Sequence, residues 1–260
     1  MNPSHSPQTV SRQELLAAFN RLLEPERIKD YGPNGLQVEG KAQVGKIVSG
    51  VTASLALIEA AVAAQADAIF VHHGLFWRGQ DGTVTGWMRQ RLALLLAHNI
   101  NLYAYHLPLD AHPSLGNNAQ LAHVLGFKEP EQGWTRFGEN NLGFMGELPF
   151  ASAQTLAQHV EKTLKRPVTP VFTAQTAIKN IAWCTGGAQS YFEDAIAAGA
   201  DAFITGEISE PQAHYAREMG VAYLACGHHA TERYGAQAVA GHVAQELGLV
   251  HTFIDIDNPA

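Results

Sequence analysis

Five residues of the chain have side chains of the kinds that bind metal ions, and each follows an apolar run typical of a buried strand. Imidazole nitrogens together with carboxylate oxygens suit divalent first-row ions. The carboxyl edge of a parallel sheet is also where open α/β proteins bind their ligands. The sequence therefore predicts a metal site at strand ends, with these candidate ligands: His72, His73, Asp110, His228 and Glu232.

The pair His72-His73 follows the run 68–71, which is short and β-branched enough for a buried strand. Because side chains alternate along a strand, the two imidazoles are expected to point in different directions. Each can then hold one of two neighbouring ions. Taken alone, the pair is more simply interpreted as a polar strand end that faces solvent.

The other candidate ligands also follow predicted strands. Asp110 comes just after the run 100–105, and its alternative role is to cap a turn before Pro113. His228 and Glu232 are four residues apart, so a helix that starts here places both on one face, where they can meet at an ion. The alternative is an ordinary side-chain pair on a solvated helix.

Strands and helices alternate in the first part of the chain, which predicts a parallel α/β sheet. His106 follows the third strand, where it is either a partner of a ligand or a plain loop residue. The predicted strands are 46–51, 68–71, 100–105, 134–137, 142–148, 168–172, 221–226 and 250–255. The predicted helices are one after the capping box Ser11–Glu14, and 55–64, 87–98, 117–125, 153–164 and 237–247.

The second half of the chain echoes the first. The segment ADAIFVHHG at 66–74 has the counterpart ADAFITGEI at 200–208, and alignment of the two segments places His73 opposite Glu207. This repeat alignment predicts two related α/β halves, 1–126 and 127–260, with mostly parallel sheets and with polar residues of both halves at strand ends beside one cleft. Glu207 becomes a candidate for that cleft, and its alternative role is to cap a helix near Ser209.

Composition narrows the classes of function. The 260 residues carry a net charge of −7, and no cluster of Lys and Arg indicates a nucleic-acid surface. The two cysteines, Cys184 and Cys226, lie in apolar runs, which disfavours a disulfide framework and fits a reducing compartment. The N-terminus has no signal pattern, and no run approaches the length of a membrane span. We expect a cytoplasmic protein with a small-molecule substrate.

Several motifs together resemble one family over nearly the whole chain. They are GPNGLQVEG, VHHGLFW, YHLPLDAH, ADAFITGE and GHHATERYG. The chain resembles the dinuclear-metal-centre hexameric proteins known as GTP cyclohydrolase I type 2 homologues. The resemblance implies that His73 and Asp110 hold one divalent ion, that His72 and His228 hold a second, and that Glu232 bridges the two.

The same resemblance implies a fold of two α/β halves with mostly parallel sheets around a dinuclear metal cleft. It also implies a toroidal homohexamer whose metal sites face an internal cavity. The ions are expected to be iron, zinc, manganese or nickel. Two ions with open coordination positions favour a metal-dependent hydrolase, with Glu207 as general acid/base. The alternative is a metal-binding or regulatory scaffold without turnover.

Overall fold

The computed structural model describes residues 8–173 and 177–260 and has a mixed α/β fold. Its strands in these ranges are β1 (Val10–Ser11), β2 (Gly35–Val38), β3 (Gln43–Val44), β4 (Lys46–Thr52), β5 (Ala68–His73), β6 (Asn101–Ala104), β7 (Thr135–Phe137), β8 (Gly143–Phe150), β9 (Thr169–Val171), β10 (Ile178–Trp183), β11 (Ala202–Thr205), β12 (Ala222–Ala225) and β13 (Val250–Phe253). Its α-helices are α1 (Arg12–Leu23), α2 (Leu55–Ala63), α3 (Gly86–Ala97), α4 (Leu107–Ala111), α5 (Asn117–Leu125), α6 (Ala153–Leu164), α7 (Phe192–Ala197), α8 (Glu210–Met219), α9 (His228–Glu232) and α10 (Gly235–Leu247).

The first of two compact units contains the residues up to Leu109 together with Ala236–Asp257. Its sheet has the order β13-β4-β5-β6-β2, with parallel pairing except between β2 and β6. The central strand β5 is buried over Ala68–His72, with apolar side chains from Ala68 to Val71. Continuous apolar burial is typical of a parallel strand covered on both faces.

The second compact unit contains Asp110–Gly235 with Asn258–Ala260. Its sheet has the order β7-β8-β10-β11-β12-β9, in which β10, β11 and β12 are parallel and the outer pairings are antiparallel. Trp183 at the end of β10 is fully buried and packs against Phe127 and Trp134. This sheet is therefore mixed, whereas that of the first unit is mostly parallel.

The chain passes between the two units at residues 109/110, 235/236 and 257/258, whereas the sequence analysis predicts the division of the halves at 126/127. The C-terminal strand β13 explains the second passage, because it pairs with β4 in the register Val250↔Lys46. Asp110 consequently belongs to the second unit rather than grouping with His72 and His73.

The internal sequence repeat corresponds to a shared strand register in the two units. In the first unit Ile47 pairs with Ala68, and in the second unit their equivalents in the repeat alignment, Ile181 and Ala202, pair with each other. Both pairings are parallel and join a strand to the next one along the chain. The two units therefore share the register of their first two parallel strands.

A partly buried carboxylate supports each of these strand pairs in the same way. Asp67 Oδ2 accepts hydrogen bonds from the main-chain N–H groups of residues 45–46. Asp201, its equivalent in the repeat alignment, accepts them through Oδ2 from residues 179–180. The ADA segment that marks the repeat in the sequence thus has a structural reason, since its aspartate binds two main-chain groups at the start of the preceding strand.

The similarity extends to the third parallel strand of each unit. Strand β6 is followed, after two residues, by the five-residue helix α4, and β12 is followed after two residues by the five-residue helix α9. The sequence predicts α9 only conditionally and does not predict α4, because one turn is too short for a hydrophobic period to appear. Within the described ranges, no helix has the length and hydropathy of a membrane span.

Candidate metal centre

His72 lies at the carboxyl end of β5, and its side chain is fully buried. Its Nδ1 atom is 3.2 Å from the main-chain oxygen of Tyr105. Because a carbonyl oxygen can only accept, Nδ1 carries the proton and the lone pair of the neutral ring is on Nε2. A neutral imidazole whose Nδ1 proton is held by an acceptor in this way is the usual form of a histidine that binds a metal ion.

His73 is the last residue of β5, and its Nδ1 atom is 3.0 Å from Thr52 Oγ1 on the neighbouring strand β4. The rings of His72 and His73 converge, with centroids 4.5 Å apart. The expectation that they point in different directions is therefore wrong. His73 is the last residue of β5, so no further strand residue fixes the direction of its side chain.

A third histidine joins this pair. The ring of His106 lies 5.0 Å from that of His72 and 5.8 Å from that of His73, measured between centroids. Each of the three residues offers one ring nitrogen, and these nitrogens lie within 4.8 Å of one another. The first unit thus gathers three imidazoles at one edge of its sheet.

His106 is oriented by a carboxylate. Its Nδ1 atom is 2.7 Å from Oδ1 of Asp30, while Oδ2 of Asp30 accepts from Asn34 Nδ2 and from the main chain of Leu107. Burial opposes ionisation of Asp30, but the hydrogen bonds, led by that from His106, hold its pKa below the ordinary value. Asp30 is therefore ionised at neutral pH and can only accept from the ring.

Asp110 is buried in α4 rather than capping a turn. Its Oδ1 atom accepts from Asn117 Nδ2 at 2.8 Å and from Thr185 Oγ1 at 3.2 Å. Burial raises the pKa of the nearby Cys184 thiol well above its usual value, and the charges of Asp110 and Glu232 raise it further. The thiol therefore stays protonated at neutral pH, although the charge of Arg136 acts in the opposite direction.

The second unit brings His228, Glu232 and Glu207 together. His228 Nε2 lies 3.3 Å from Glu232 Oε2, and His228 Nδ1 lies 2.6 Å from Glu207 Oε1. Burial alone would lower the pKa of His228, but hydrogen bonds and charge from the two glutamates raise it to about 9. Glu232 is buried, whereas the side chain of Glu207 is 46% exposed.

Two glycines allow the main chain to approach this group closely. Gly186 follows β10 with φ of +70°, and a Cβ there would overlap Glu232 Oε1 and lie 3.1 Å from His228 Nε2. A Cβ on Gly206 would lie 2.6 Å from both the oxygen of Gly186 and the Cα of His228. A larger residue at Gly186 would displace the Glu232 side chain, and one at Gly206 would displace main-chain atoms of Gly186 and His228.

Comparison with known proteins decides the family. The family model described as Duf34/NIF3 (NGG1p interacting factor 3) matches residues 10–259. The chain belongs to the DUF34/NIF3 family. Relatives of this DUF34/NIF3 chain include proteins of Neisseria meningitidis serogroup A and Pseudomonas aeruginosa, both named GTP cyclohydrolase 1 type 2 homolog. Each is 50% identical over 96% of this chain, covering 100% and 99% of the relative, respectively.

Solved structures agree with this membership. A structure described as "protein ybgI, unknown function" shares 49% identity, with a TM-score of 0.90 over 96% of this chain and 100% of that one. A protein from Thermus thermophilus shares 30% identity, with a TM-score of 0.84 over 96% of this chain and 100% of its own. The mixed α/β fold is therefore that of the DUF34/NIF3 family.

Sequence reasoning misses several residues of this DUF34/NIF3 site. The sequence alone predicts no role for Asp30 in the site. The signal that points to it is its place beside the GPNG motif, which positions Asn34 next to it. Gly186 and Gly206 give no signal of their own. The repeat alignment places them opposite Thr52 and His72, and that correspondence is what draws attention to them.

Proposed function

We propose that the protein is a metal-dependent hydrolase that holds two divalent ions, which are iron, zinc, manganese or nickel. His73 and Asp110 hold one ion, His72 and His228 hold the other, and Glu232 bridges them, as the family resemblance implies. The observation that carries the proposal is the fixed orientation of the imidazoles. In His72, His73 and His228, Nδ1 lies within 3.2 Å of a hydrogen-bond partner, so Nε2 is the atom available to bind an ion.

The residues present fit divalent ions. Asp110 and Glu232 are 7% and 2% exposed, and buried carboxylates are costly unless charge or hydrogen bonds offset them. Gly186 lies so close to Glu232 that a Cβ there would overlap its carboxylate. Imidazole with carboxylate is the donor set of first-row divalent ions.

When bound, a pair of ions acidifies water and neutralises an anionic transition state. The protein's own residues would keep the ligands in place. Tyr105 and Thr52 hold the rings of His72 and His73, while Asn117 and Thr185 hold the carboxylate of Asp110.

Glu207 is our candidate general acid/base. The repeat alignment places it opposite His73, and its Oε1 contacts His228 while its Oε2 lies 3.4 Å from Gln189 Nε2. Its exposed carboxylate leaves room for a substrate amine or a water molecule. We expect Glu207→Gln to lower turnover by roughly a hundredfold or more. Both ions should stay bound when the metal is in excess, although loss of the carboxylate behind His228 weakens one of them by roughly 10–100-fold.

The test combines a hydrolysis assay with metal analysis on the same preparation, using GTP, simple phosphoesters and cyclic amides as substrates. We expect turnover that depends on an added divalent ion. If no substrate turns over with any of the four metals, the alternative of a metal-binding or regulatory scaffold becomes the better account. If Glu207→Gln turns over as fast as the parent protein, Glu207 has no catalytic role.

The names of the relatives favour a nucleotide such as GTP as the first substrate to test. The resemblance further implies a homohexamer, and we propose a cytoplasmic location because the two cysteines fit a reducing compartment. Light scattering measures this assembly directly, because a homohexamer has six times the mass of the 28.1 kDa chain.

A further inference from the structure

The five-residue helix α9 carries two of the proposed ligands, but no side chain caps its start. Its N-cap residue is Gly227, which has φ of +96° and no side chain that could accept from the N–H groups of the first turn. A single turn is also too short to be a stable helix by itself. The directions of the His228 and Glu232 side chains therefore depend on the contacts that other segments make with α9.

A main-chain oxygen from a segment distant in sequence takes the place of the missing cap. The main-chain N–H of His229, in the first turn of α9, donates to the main-chain oxygen of Ala260 at 3.2 Å. Asn258 Oδ1 accepts from the main-chain N–H of Ala260 at 2.9 Å, which fixes the conformation of this segment. Asn258–Ala260, which we call the capping segment, belongs to the second compact unit together with α9.

Arg166 holds the capping segment in this position. Its Nη1 atom donates to the main-chain oxygen of Ala260 at 2.8 Å, and its Nη2 atom donates to that of Pro259 at 3.1 Å. The same guanidinium lies directly against Gly227, where a Cβ would overlap Nη1. A guanidinium offers several donors in a fixed planar arrangement, which a lysine ammonium does not. Arg166 therefore contacts both the N-cap residue of α9 and the oxygen that accepts from its first turn.

The end of α6 supports this arrangement. The main-chain N–H of Arg166 donates to the main-chain oxygen of Glu161 at 3.3 Å, and Glu161 Oε1 accepts from the main-chain N–H of Val168 at 3.1 Å. Arg233, which follows α9, donates through Nη2 to the main-chain oxygen of Leu164, the last residue of α6, at 2.9 Å. The segment at the end of α6 thus supports α9 from both of its ends.

We propose that Arg166 and the capping segment are positioning groups that set the direction of α9, and with it the directions of the His228 and Glu232 side chains. The ligand role of these two side chains rests on the function proposed above, whereas the positioning of the helix does not. His228 is the first residue of α9, so a shift of the first turn moves its ring away from Glu207 Oε1, which lies 2.6 Å from Nδ1. An ion that needs both His228 and Glu232 should then bind less tightly.

The first test measures hydrogen exchange by mass spectrometry in the metal-free protein. It compares the parent with Arg166→Gln, with a variant that ends at Asp257, and with the combination of the two changes. We expect exchange in the peptide 227–233 to be at least tenfold faster in each variant, while exchange in β11 stays the same. Because Arg166 acts through the capping segment, the combined variant should exchange no faster than the faster of the two single variants.

The second test measures Zn²⁺ and Mn²⁺ binding by equilibrium dialysis. Arg166→Gln should lower the affinity for one ion by roughly tenfold, and Arg166→Lys, which keeps the charge but not the fixed pair of donors, should restore only part of it. Lys162→Gln is the matched control, because it removes an exposed positive charge from α6 and should change neither exchange nor binding. If the variant that ends at Asp257 does not fold, Asn258→Ala replaces it, since this change removes only the bond to the Ala260 N–H.

The outcomes separate this proposal from the proposed function. It is overturned if exchange in 227–233 is unchanged in Arg166→Gln, or if the effects of the two changes add up in the combined variant. It is also overturned if the parent binds ions and Arg166→Gln binds them equally tightly. If the parent binds no ion, the proposed function fails, whereas faster exchange in 227–233 still supports the positioning of α9.

Discussion

At the scale of single residues, the proposed ligand imidazoles differ in what lies behind them. Nδ1 contacts a carbonyl oxygen at His72, a hydroxyl at His73 and a carboxylate at His228. A carboxylate partner gives the ring more anionic character than a neutral acceptor does. His228, with Glu207 behind it, should therefore be the strongest donor of the three proposed imidazole ligands.

The proposed bridge makes a sharp prediction about Glu232. A bridging carboxylate binds both ions, so Glu232→Gln should lower the affinity for each ion at least tenfold. Asp110→Asn should mainly weaken the binding of one ion, because Asp110 is proposed to hold only that ion. The amide oxygen can still accept from Asn117 and Thr185, so the fold is kept. Elemental analysis after dialysis against iron, zinc or manganese measures the stoichiometry. If Glu232→Gln retains both ions, Glu232 does not bridge them, and its contact with His228 is an ordinary side-chain pair on a helix face.

At the scale of elements, sequence patterns predict much of the chain. The helix 153–164 is observed as predicted, and the predicted strand 46–51 becomes β4, Lys46–Thr52. Strand β10 is not predicted, because polar Lys179 and Asn180 interrupt its apolar run. The partner of β13 is not predictable either, since β13 lies at the far end of the chain from β4 and their pairing leaves no local signal.

The candidate site is also predictable from the sequence only where its signals are local. Strand ends and ligand types are readable in the sequence, and they predict His72 and His73 at the end of β5 and the helical pair of His228 and Glu232. The partners behind the rings are not readable, because Asp30 lies 76 residues from His106 and contacts it only through the fold. Long-range hydrogen bonds have no period in a sequence.

The repeated aspartates give a prediction at this scale. Burial opposes ionisation of Asp67, but hydrogen bonds from Lys41 and from the main chain of residues 45–46 lower its pKa. A lowered pKa in the folded state adds stability above about pH 4, and this stability is lost as the pH falls through the folded-state pKa. Asp67→Asn should therefore reduce the free energy of unfolding by about 1–3 kcal/mol at pH 7, and by less near pH 3.

Urea unfolding at both pH values measures this difference. Asp201→Asn should also destabilise the protein at pH 7, because Asp201 binds the main-chain N–H groups of residues 179–180 in the same way. The exposed Asp257 offers a matched control, and Asp257→Asn should change stability by less than about 0.5 kcal/mol. If Asp67→Asn reduces the free energy of unfolding equally at pH 7 and at pH 3, the charge of the Asp67 carboxylate is not the source of the stability.

At the scale of the whole molecule, charge and metal binding are connected. The chain carries a net charge of −7, and Asp110 and Glu232 are carboxylates buried inside it. Buried charges lower stability unless an opposite charge or hydrogen bonds compensate them. Divalent ions at the proposed ligands would supply that charge, which links metal binding to the stability of the fold.

We therefore expect the protein to unfold at a lower temperature after treatment with a chelator. An ion at a hundred times its dissociation constant stabilises the folded state by about 2.7 kcal/mol, which raises the unfolding temperature by about 5–10 °C in a chain of this size. Calorimetry with and without Zn²⁺, Mn²⁺ or Ni²⁺ measures the shift. Mg²⁺ at the same ionic strength is the control, because it prefers oxygen ligands and should raise the temperature much less. Equal shifts in the parent and in Glu232→Gln would show that the stabilising ion does not bind at Glu232.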